Sequence, residues 1–290
     1  MSRATTKNRA GKNRASGHTA VMADKASAAA IEAEADPVRR LHLALNYFPT
    51  PPWATRALLE HVIPDALGGR LPAGVSPSAS KTCWEPACGE GHMVRVLEER
   101  FGAVFASDVH DYGVGKVGSF VGQGLDVLPP PAVLPDWVIT NPPFALAAEF
   151  VERSLQVATE GVAMLVRTTW LEGQDRYERL FRDSRPAIVA AFVERVPMTV
   201  GRWDPDADTA TAYAWVVWRR VPMLPGQTKL RQPRHHWDHH GASLMWIPPG
   251  CRQRLTRPDD ISRFAGAEPT GATLFDPRSA AASETNEVAA

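Results

Sequence analysis

The segment with the clearest chemical potential is residues 138–144, which ends in Asn141, Pro142, Pro143 and Phe144. Two consecutive prolines fix two φ angles and remove two N–H donors, so the carbonyl groups of this turn stay free to accept hydrogen bonds. The Asn141 side-chain carbonyl and the Pro142 main-chain carbonyl predict acceptors for both protons of an exocyclic amino group, while Phe144 stacks on the attached ring. The same turn is also typical of an ordinary strand end, because Asn and Pro are common turn residues.

A second candidate segment, residues 84–92, contains Cys88, Gly89 and Gly91 at the end of a predicted strand. Glycines let the backbone approach a ligand closely, and the helix that follows offers unpaired N–H groups and a positive dipole end. The pattern predicts a nucleotide-like ligand, with a plain tight turn as the alternative. Val94 stands where the dinucleotide fingerprint has a small residue, which disfavours NAD.

Two acidic residues follow at predicted strand ends. Asp108 lies seventeen residues after Gly91, where a carboxylate can accept both hydroxyl protons of a ribose. Asp111 competes for that role, and Asp108 as a simple cap of the next turn is the structural alternative. Asp126 lies where a third strand is expected to end and can accept a hydrogen bond from an adenine amino group.

These residues need a parallel sheet to bring them together, and alternating strand and helix patterns predict one. A helix is expected from Trp53, with Pro51 and Pro52 at its start and Pro64 at its end. A second helix is expected over residues 146–159, and residues 187–196 and 213–218 favour an antiparallel hairpin at one sheet edge. The remaining predicted strands cover residues 81–85, 102–108, 136–140 and 161–166.

The composition is that of a globular protein with a substantial core, because 44% of the 290 residues are hydrophobic and 22% are charged. No apolar stretch approaches the roughly 18 residues of a membrane helix, and the basic N-terminal segment has no apolar run after it, so we expect a cytoplasmic protein. Three cysteines without a C-x-x-C pair predict neither a disulfide framework nor structural zinc.

Composition also divides the chain into four parts. Residues 1–39 are basic and Ala-rich and residues 265–290 are rich in Ala, Ser, Thr and Glu, so both are expected to be disordered tails. Residues 40–222 are expected to form one catalytic domain, followed by a basic C-terminal extension over residues 223–264.

Over about residues 46–220 these segments together resemble the class I S-adenosylmethionine-dependent amino-methyltransferases, specifically the DNA adenine-N6 type with an N-P-P-F motif. The resemblance implies a Rossmann-like α/β fold, with a seven-stranded mixed sheet flanked by helices, and S-adenosyl-L-methionine as cofactor. Residues 188–218 also look like versions found in phage and prophage methyltransferases. The cofactor ligands that the resemblance implies are Thr50 and Pro51 on the methionine part, Glu85, Cys88, Gly89 and Gly91 in the Gly-rich motif, Asp108 on the ribose and Asp126 on the adenine; the catalytic residues it implies are Asn141, Pro142, Pro143 and Phe144.

The resemblance implies methyl transfer to the N6 amino group of an adenine in DNA, which an enzyme reaches only after extruding the nucleotide from the stack. The same tetrapeptide also serves transfer to cytosine N4, to RNA bases or to a glutamine amide in a protein. A catalytically inactive nucleic-acid-binding module of the same fold is the alternative from a different class.

The candidate DNA-binding surface is the basic region 219–257, where Asp238 is the single acid and Trp237 and Trp246 are interleaved. An ordinary basic surface packed on the sheet edge is the alternative. No metal site is expected, because the paired histidines at 235–240 have no cysteine nearby. The arginines assigned to DNA are Arg219, Arg220, Arg231 and Arg234.

Overall fold

A computed structural model describes residues 25–66, 79–122, 127–222, 235–237 and 242–264. Nine strands lie in this part of the chain: β1 (Thr82–Glu85), β2 (Ala103–Asp108), β3 (Lys116–Val117), β4 (Trp137–Thr140), β5 (Gly161–Arg167), β6 (Ile188–Phe192), β7 (Tyr213–Pro222), β8 (His235–Trp237) and β9 (Ser243–Ile247). The α-helices are α1 (Lys25–Ala33), α2 (Pro37–Ala44), α3 (Pro52–Ala57), α4 (Ile63–Ala66), α5 (His92–Leu97), α6 (Ala147–Val157), α7 (Gln174–Arg176), α8 (Cys251–Leu255) and α9 (Asp260–Phe264).

The strands form one mixed sheet in the order β3-β2-β1-β4-β5-β7-β6-β9, with β8 paired to β7. β1 to β5 run parallel to one another, and β7 is antiparallel to both β5 and β6. The order β3-β2-β1-β4-β5 is Rossmann-like, and its direction of winding reverses between β1 and β4. Ligands of such sheets bind outside the carboxyl ends of the strands at this switch point.

The structure confirms the expected α/β class with helices on both faces of a mixed sheet, but the predicted count of seven strands is wrong. β1 to β7 supply those seven strands. β9 adds a parallel strand beside β6, and β8 pairs with the end of β7. The predicted antiparallel pair β6–β7 is confirmed, although β9 and not this pair occupies the sheet edge.

Side chains of the central strands alternate between two buried clusters, which is why β4 and β5 are almost continuously apolar. Ile139 and Leu165 pack in a cluster with α3, α5 and α8, whereas Val138 and Met164 pack on the opposite face with α6. The sheet is therefore buried on both sides.

Local sequence explains where two of the early helices begin. Asp36 caps α2 by accepting a hydrogen bond from the Val38 N–H at 3.0 Å, and Pro37 occupies the first helical turn. Pro52 begins α3 as predicted. The expected end at Pro64 is wrong, because a π-helical segment, Leu58–Val62, precedes α4 and accommodates the proline's missing N–H donor.

Two regions outside the predicted catalytic domain contribute to the same body. Residues 25–39, which composition places in a tail, form α1 and the start of α2. Residues 242–264, which composition places in a basic extension, supply β9, α8 and α9, and bury Ile247, Leu255 and Phe264 in the core. None of the described helices is long and apolar enough to cross a membrane.

Candidate functional site

The described residues enclose a cavity of about 830 Å³ at the carboxyl edge of the sheet, where the ends of β1, β2 and β4 meet. Its volume lies within the roughly 300–1,000 Å³ of typical small-molecule sites. Its walls come from five segments: residues 28–32 in α1, 44–50 before α3, 86–93 after β1, 108–122 after β2 and 141–150 after β4. The Gly-rich turn, the strand-ending acid and the Asn-Pro-Pro turn are thus neighbours in space, as their predicted positions require.

Close packing against Tyr47 fixes the turn after β1. Gly89 and Gly91 both have positive φ angles, 49° and 84°. A Cβ atom on Gly89 would lie only 2.3 Å from the Tyr47 ring, whose own exposure is 8%. The Glu90 N–H also points to the Tyr47 hydroxyl, at 3.4 Å. Glycine is required at position 89 because both the backbone conformation and the available space exclude a side chain.

Asp108 ends β2 beside this turn and lines the cavity. One carboxylate oxygen accepts the Gly89 N–H at 2.9 Å, and the other accepts the His110 N–H at 3.1 Å. Burial raises the pKa of Asp108, and these backbone donors counteract that shift. Each oxygen retains a second lone pair, so an oriented carboxylate remains able to accept two hydroxyl protons. Asp111, the rival residue, instead accepts the Gly113 N–H at 2.8 Å and is not in the cavity wall.

Cys88 contributes to the cavity wall as a thiol. Its Sγ donates to the Val114 carbonyl at 3.4 Å, and burial raises its pKa, so it lacks the thiolate character of a nucleophile.

Glu85 lies behind the cavity and is not part of its wall. It is fully buried, and its Oε1 accepts hydrogen bonds from Thr140 Oγ1 at 2.5 Å and from the Ala87 N–H at 3.2 Å. Burial raises its pKa to about 8. Glu85 therefore ties β1 to β4, which sets the position of the turn containing Asn141.

Asn141 lies in the cavity wall with its amide oriented by its neighbours. Its Nδ2 donates to the Phe48 carbonyl at 3.1 Å and lies 3.7 Å from Met198 Sδ. Its Oδ1 is buried and has no hydrogen-bond partner among the described residues. An unpaired buried acceptor costs about 1–3 kcal/mol, so a donor that reaches it gains that free energy.

Phe144 follows Asn141 by three residues, begins a 3₁₀ turn and is not part of the cavity wall. The Phe48 ring packs against it with centroids 5.2 Å apart, and the Arg167 guanidinium lies 4.1 Å from its ring centre. Pro143 lines the cavity, and its carbonyl accepts the Leu146 N–H at 2.9 Å. Pro142 is buried and is not part of the cavity wall.

Thr50 lines the cavity and is 3% exposed, and Pro51 is buried directly behind it at the start of α3. The sequence did not single out several other wall residues, among them Tyr112 and Phe120, which follow β2. Tyr112 packs on Tyr47 with ring centroids 4.8 Å apart. Aromatic residues close after a strand-ending acid are the signal that could have indicated them.

Three predicted site residues, Asp126, Arg231 and Arg234, lie outside the described residues. The strand expected to end at Asp126 is β3, which ends at Val117.

The structure places Arg219 and Arg220 far from the cavity. Arg219 pairs with Gly161 at the start of β5, whereas Tyr213 pairs with Arg167 at its carboxyl end. Six residues of strand separate the two ends by roughly 20 Å. The Arg220 guanidinium donates to the Leu155 carbonyl at 3.1 Å, and burial lowers its pKa. These two arginines therefore lie near the amino end of β5, whereas Asn141 follows the carboxyl end of the parallel strand β4.

No protein-family model and no curated protein matches the sequence. Among solved structures, the chain is similar to a modification subunit of a putative type I restriction enzyme from Vibrio vulnificus YJ016, with 13% identity and a TM-score of 0.39 over 68% of this chain and 55% of that one. It is also similar to the type I restriction enzyme EcoKI M protein, with 12% identity and a TM-score of 0.41 over 59% and 43% of the two chains. A putative RNA methyltransferase from Pyrococcus horikoshii matches with 15% identity and a TM-score of 0.38 over 69% of this chain and 100% of that one.

Proposed function

We propose that this protein is an S-adenosylmethionine-dependent N-methyltransferase and that its substrate is the N6 amino group of an adenine extruded from DNA. The observation that carries the proposal is the unpaired, buried Oδ1 of Asn141, in the wall of the same cavity as the Asp108 carboxylate. An acceptor for an amine and an acceptor for a ribose thus share one enclosed space.

The residues of the cavity fit the proposed cofactor. Asp108, oriented by the Gly89 N–H, would hold the ribose hydroxyls. Thr50 would bind the carboxylate of the methionine part, and Val109 and Tyr112 offer apolar surface to the adenine. When bound, S-adenosylmethionine would supply an electrophilic methyl group on a positively charged sulfur.

The acceptor turn would activate the substrate amine without removing its proton first. The Asn141 Oδ1 and the Pro142 carbonyl would accept hydrogen bonds from the two N–H groups and so localise the nitrogen lone pair toward the methyl group that the cofactor would supply. When the cofactor's methyl group transfers, its bond to sulfur would break and leave a neutral thioether. Both carbonyls and the Phe144 ring would stabilise the positive charge that develops on the nitrogen more than they stabilise the neutral amine. The proton leaves to water after transfer.

The choice of adenine in DNA rests on the order of the segments in the chain, with residues 47–52 before the Gly-rich turn and the Asn-Pro-Pro-Phe turn after it. Phe48 lines the cavity beside Asn141, packs against Phe144 and offers aromatic surface to a planar base. A glutamine amide has no ring to stack there.

The test incubates the protein with radiolabelled cofactor and unmethylated DNA, RNA or a protein extract, and then digests the labelled fraction to identify the methylated base. We expect label in DNA as N6-methyladenine. Asn141→Ala is expected to lower the transfer rate by roughly 10²–10³-fold, as for other single groups that stabilise transition-state charge. Cofactor affinity, measured by calorimetry, is expected to stay within a few fold.

The matched control is Gln174→Ala, which removes an exposed amide that is not in the cavity wall. It is expected to keep the wild-type rate. Equal rates for Asn141→Ala and wild type would reject the role of the acceptor turn. Cofactor binding without label in any fraction would instead favour the inactive module.

A further inference from the structure

The aromatic surface of Phe144 is already covered by a cation. Arg167, the last residue of β5, is exposed, and its guanidinium carbon lies 4.1 Å from the Phe144 ring centre. A planar guanidinium stacks on an aromatic face as a ring does. The acceptor Oδ1 of Asn141 is also buried. A base that stacks on this face of Phe144 has to displace Arg167.

The contacts of the Arg167 side chain also allow it to move. Tyr213 lies opposite Arg167 in the sheet; burial raises the pKa of the Tyr213 hydroxyl, and the nearby guanidinium counteracts that shift. No ion pair within the described ranges includes Arg167. The exposed guanidinium therefore stacks on Phe144 beside Tyr213, and no carboxylate among the described residues forms an ion pair with it.

The positive charge of the Arg167 guanidinium affects the methyl-transfer reaction. Methyl transfer creates positive charge on the substrate nitrogen next to Phe144, and an unpaired guanidinium close by opposes it. A phosphate that binds Arg167 removes this opposition, because guanidinium and phosphate form short, bidentate, charge-assisted hydrogen bonds. An extruded nucleotide brings its own phosphate, whereas a glutamine side chain brings none.

We propose that Arg167 is a specificity residue for nucleic acid: it covers Phe144 in the free protein, and an entering base displaces it onto the phosphate of the extruded nucleotide. This rests on the proposed function and names the substrate class of that site. It also places a phosphate contact at the carboxyl edge of the sheet, on the cavity side, where Arg219 and Arg220 do not lie.

The experiment measures the affinity of a fluorescein-labelled unmethylated DNA duplex at several salt concentrations, for wild type, Arg167→Gln, Arg167→Lys and a control. Arg167→Gln is expected to weaken binding by roughly tenfold and to lower the slope of log K against log salt by about 0.9, the value for one phosphate contact. Arg167→Lys keeps the charge and is expected to keep the slope. The control, Arg185→Gln, removes an exposed arginine that precedes the amino end of β6, away from the carboxyl end of β5. It is expected to leave the salt slope and the DNA affinity unchanged.

The outcomes separate this inference from the proposed function. Methylation of DNA by wild type together with an unchanged salt slope for Arg167→Gln overturns the role of Arg167 alone. Faster transfer to DNA by Arg167→Gln also overturns it, because the guanidinium would then only obstruct the base. Transfer to a glutamine-containing protein and not to DNA overturns both. Equal thermal unfolding midpoints for Arg167→Gln and wild type show that a change in slope does not come from misfolding.

Discussion

The contact between Gly89 and Tyr47 is expected to stabilise the fold, because it joins the Gly-rich turn to a segment more than forty residues earlier. In Gly89→Ala, a residue with a side chain has to adopt a φ of 49°, which costs roughly 1–2 kcal/mol. The new Cβ also lies 2.3 Å from Tyr47 Cε2. The Tyr47 ring cannot yield easily, because it packs between His42 and Tyr112 with centroids 5.0 and 4.8 Å away. Forcing a methyl group into a packed site costs about 1–3 kcal/mol.

The two costs add to roughly 2–5 kcal/mol of lost unfolding free energy. Gly250→Ala isolates the first cost, because Gly250 has a φ of 85° and open space where the Cβ would be. Both variants also gain the same small amount from a less flexible unfolded chain. Gly89→Ala is therefore expected to be about 1–3 kcal/mol less stable than Gly250→Ala in urea unfolding.

The same substitution is expected to weaken cofactor binding by about tenfold, because the Gly89 N–H orients Asp108 and the turn has to shift. Calorimetric titration with S-adenosylmethionine measures this, and Gly250→Ala is expected to bind as wild type does. Adding Tyr47→Leu to Gly89→Ala is expected to recover at least about 0.5 kcal/mol relative to additive effects. Equal stability of the two alanine variants, or strictly additive effects in the double variant, would refute the packing explanation.

Two further predictions concern the buried ionisable groups Glu85 and Asp260. Burial raises the pKa of the Glu85 carboxyl from 4.5 to about 8, so the folded protein binds the carboxyl proton more tightly than the unfolded chain does. The stability that this provides is present below pH 4.5 and is lost as the pH rises to 8. Urea unfolding across this range is expected to show a weaker pH dependence for Glu85→Gln than for wild type, and equal slopes would contradict this. Arg56→Ala leaves the Asp260 carboxylate, which is fully buried and bound at 2.6 Å, without its ion pair, and is expected to cost about 3–5 kcal/mol in urea unfolding. The exposed pair Arg254–Glu60 serves as the control, since Arg254→Ala is expected to cost less than about 1 kcal/mol, and similar losses for both variants would show that burial is not the cause.

The sequence predicts the centre of the sheet well because its signals are local. Apolar runs bounded by Gly and Pro mark β1, β2, β4 and β5 to within about two residues. Given parallel strands, the residues that follow them must meet at one edge, so the proximity of Asp108 and Asn141 to one cavity follows from topology. No side-chain contact is needed for that inference.

The parts that the sequence did not predict depend on contacts between distant segments. Composition assigned residues 243–247 to a basic extension, yet four consecutive apolar residues, 244–247, are a strand signal within it, and β9 uses them to pair with β6. The α1 wall of the cavity has no such signal, because Ala-rich segments also occur in solvated tails. The stack of Arg167 on Phe144 joins two strand ends, and nothing in either segment specifies it alone.

The two halves of the cavity differ in how they are held, and this difference bears on the order of binding. Around Asp108, backbone hydrogen bonds and the Tyr47–Gly89 contact fix the wall in the free protein, so a ligand there meets a preformed surface. Around Asn141, the acceptor oxygen is unpaired and the Phe144 ring is covered by Phe48 and Arg167, so a ligand there has to open the site. A ligand that displaces an existing contact pays for that displacement out of its own binding energy. The part of the cavity around Asp108 is therefore expected to bind its ligand first. The part around Asn141 then favours a planar group that replaces the Arg167 guanidinium on Phe144 and also carries an anion that binds the guanidinium.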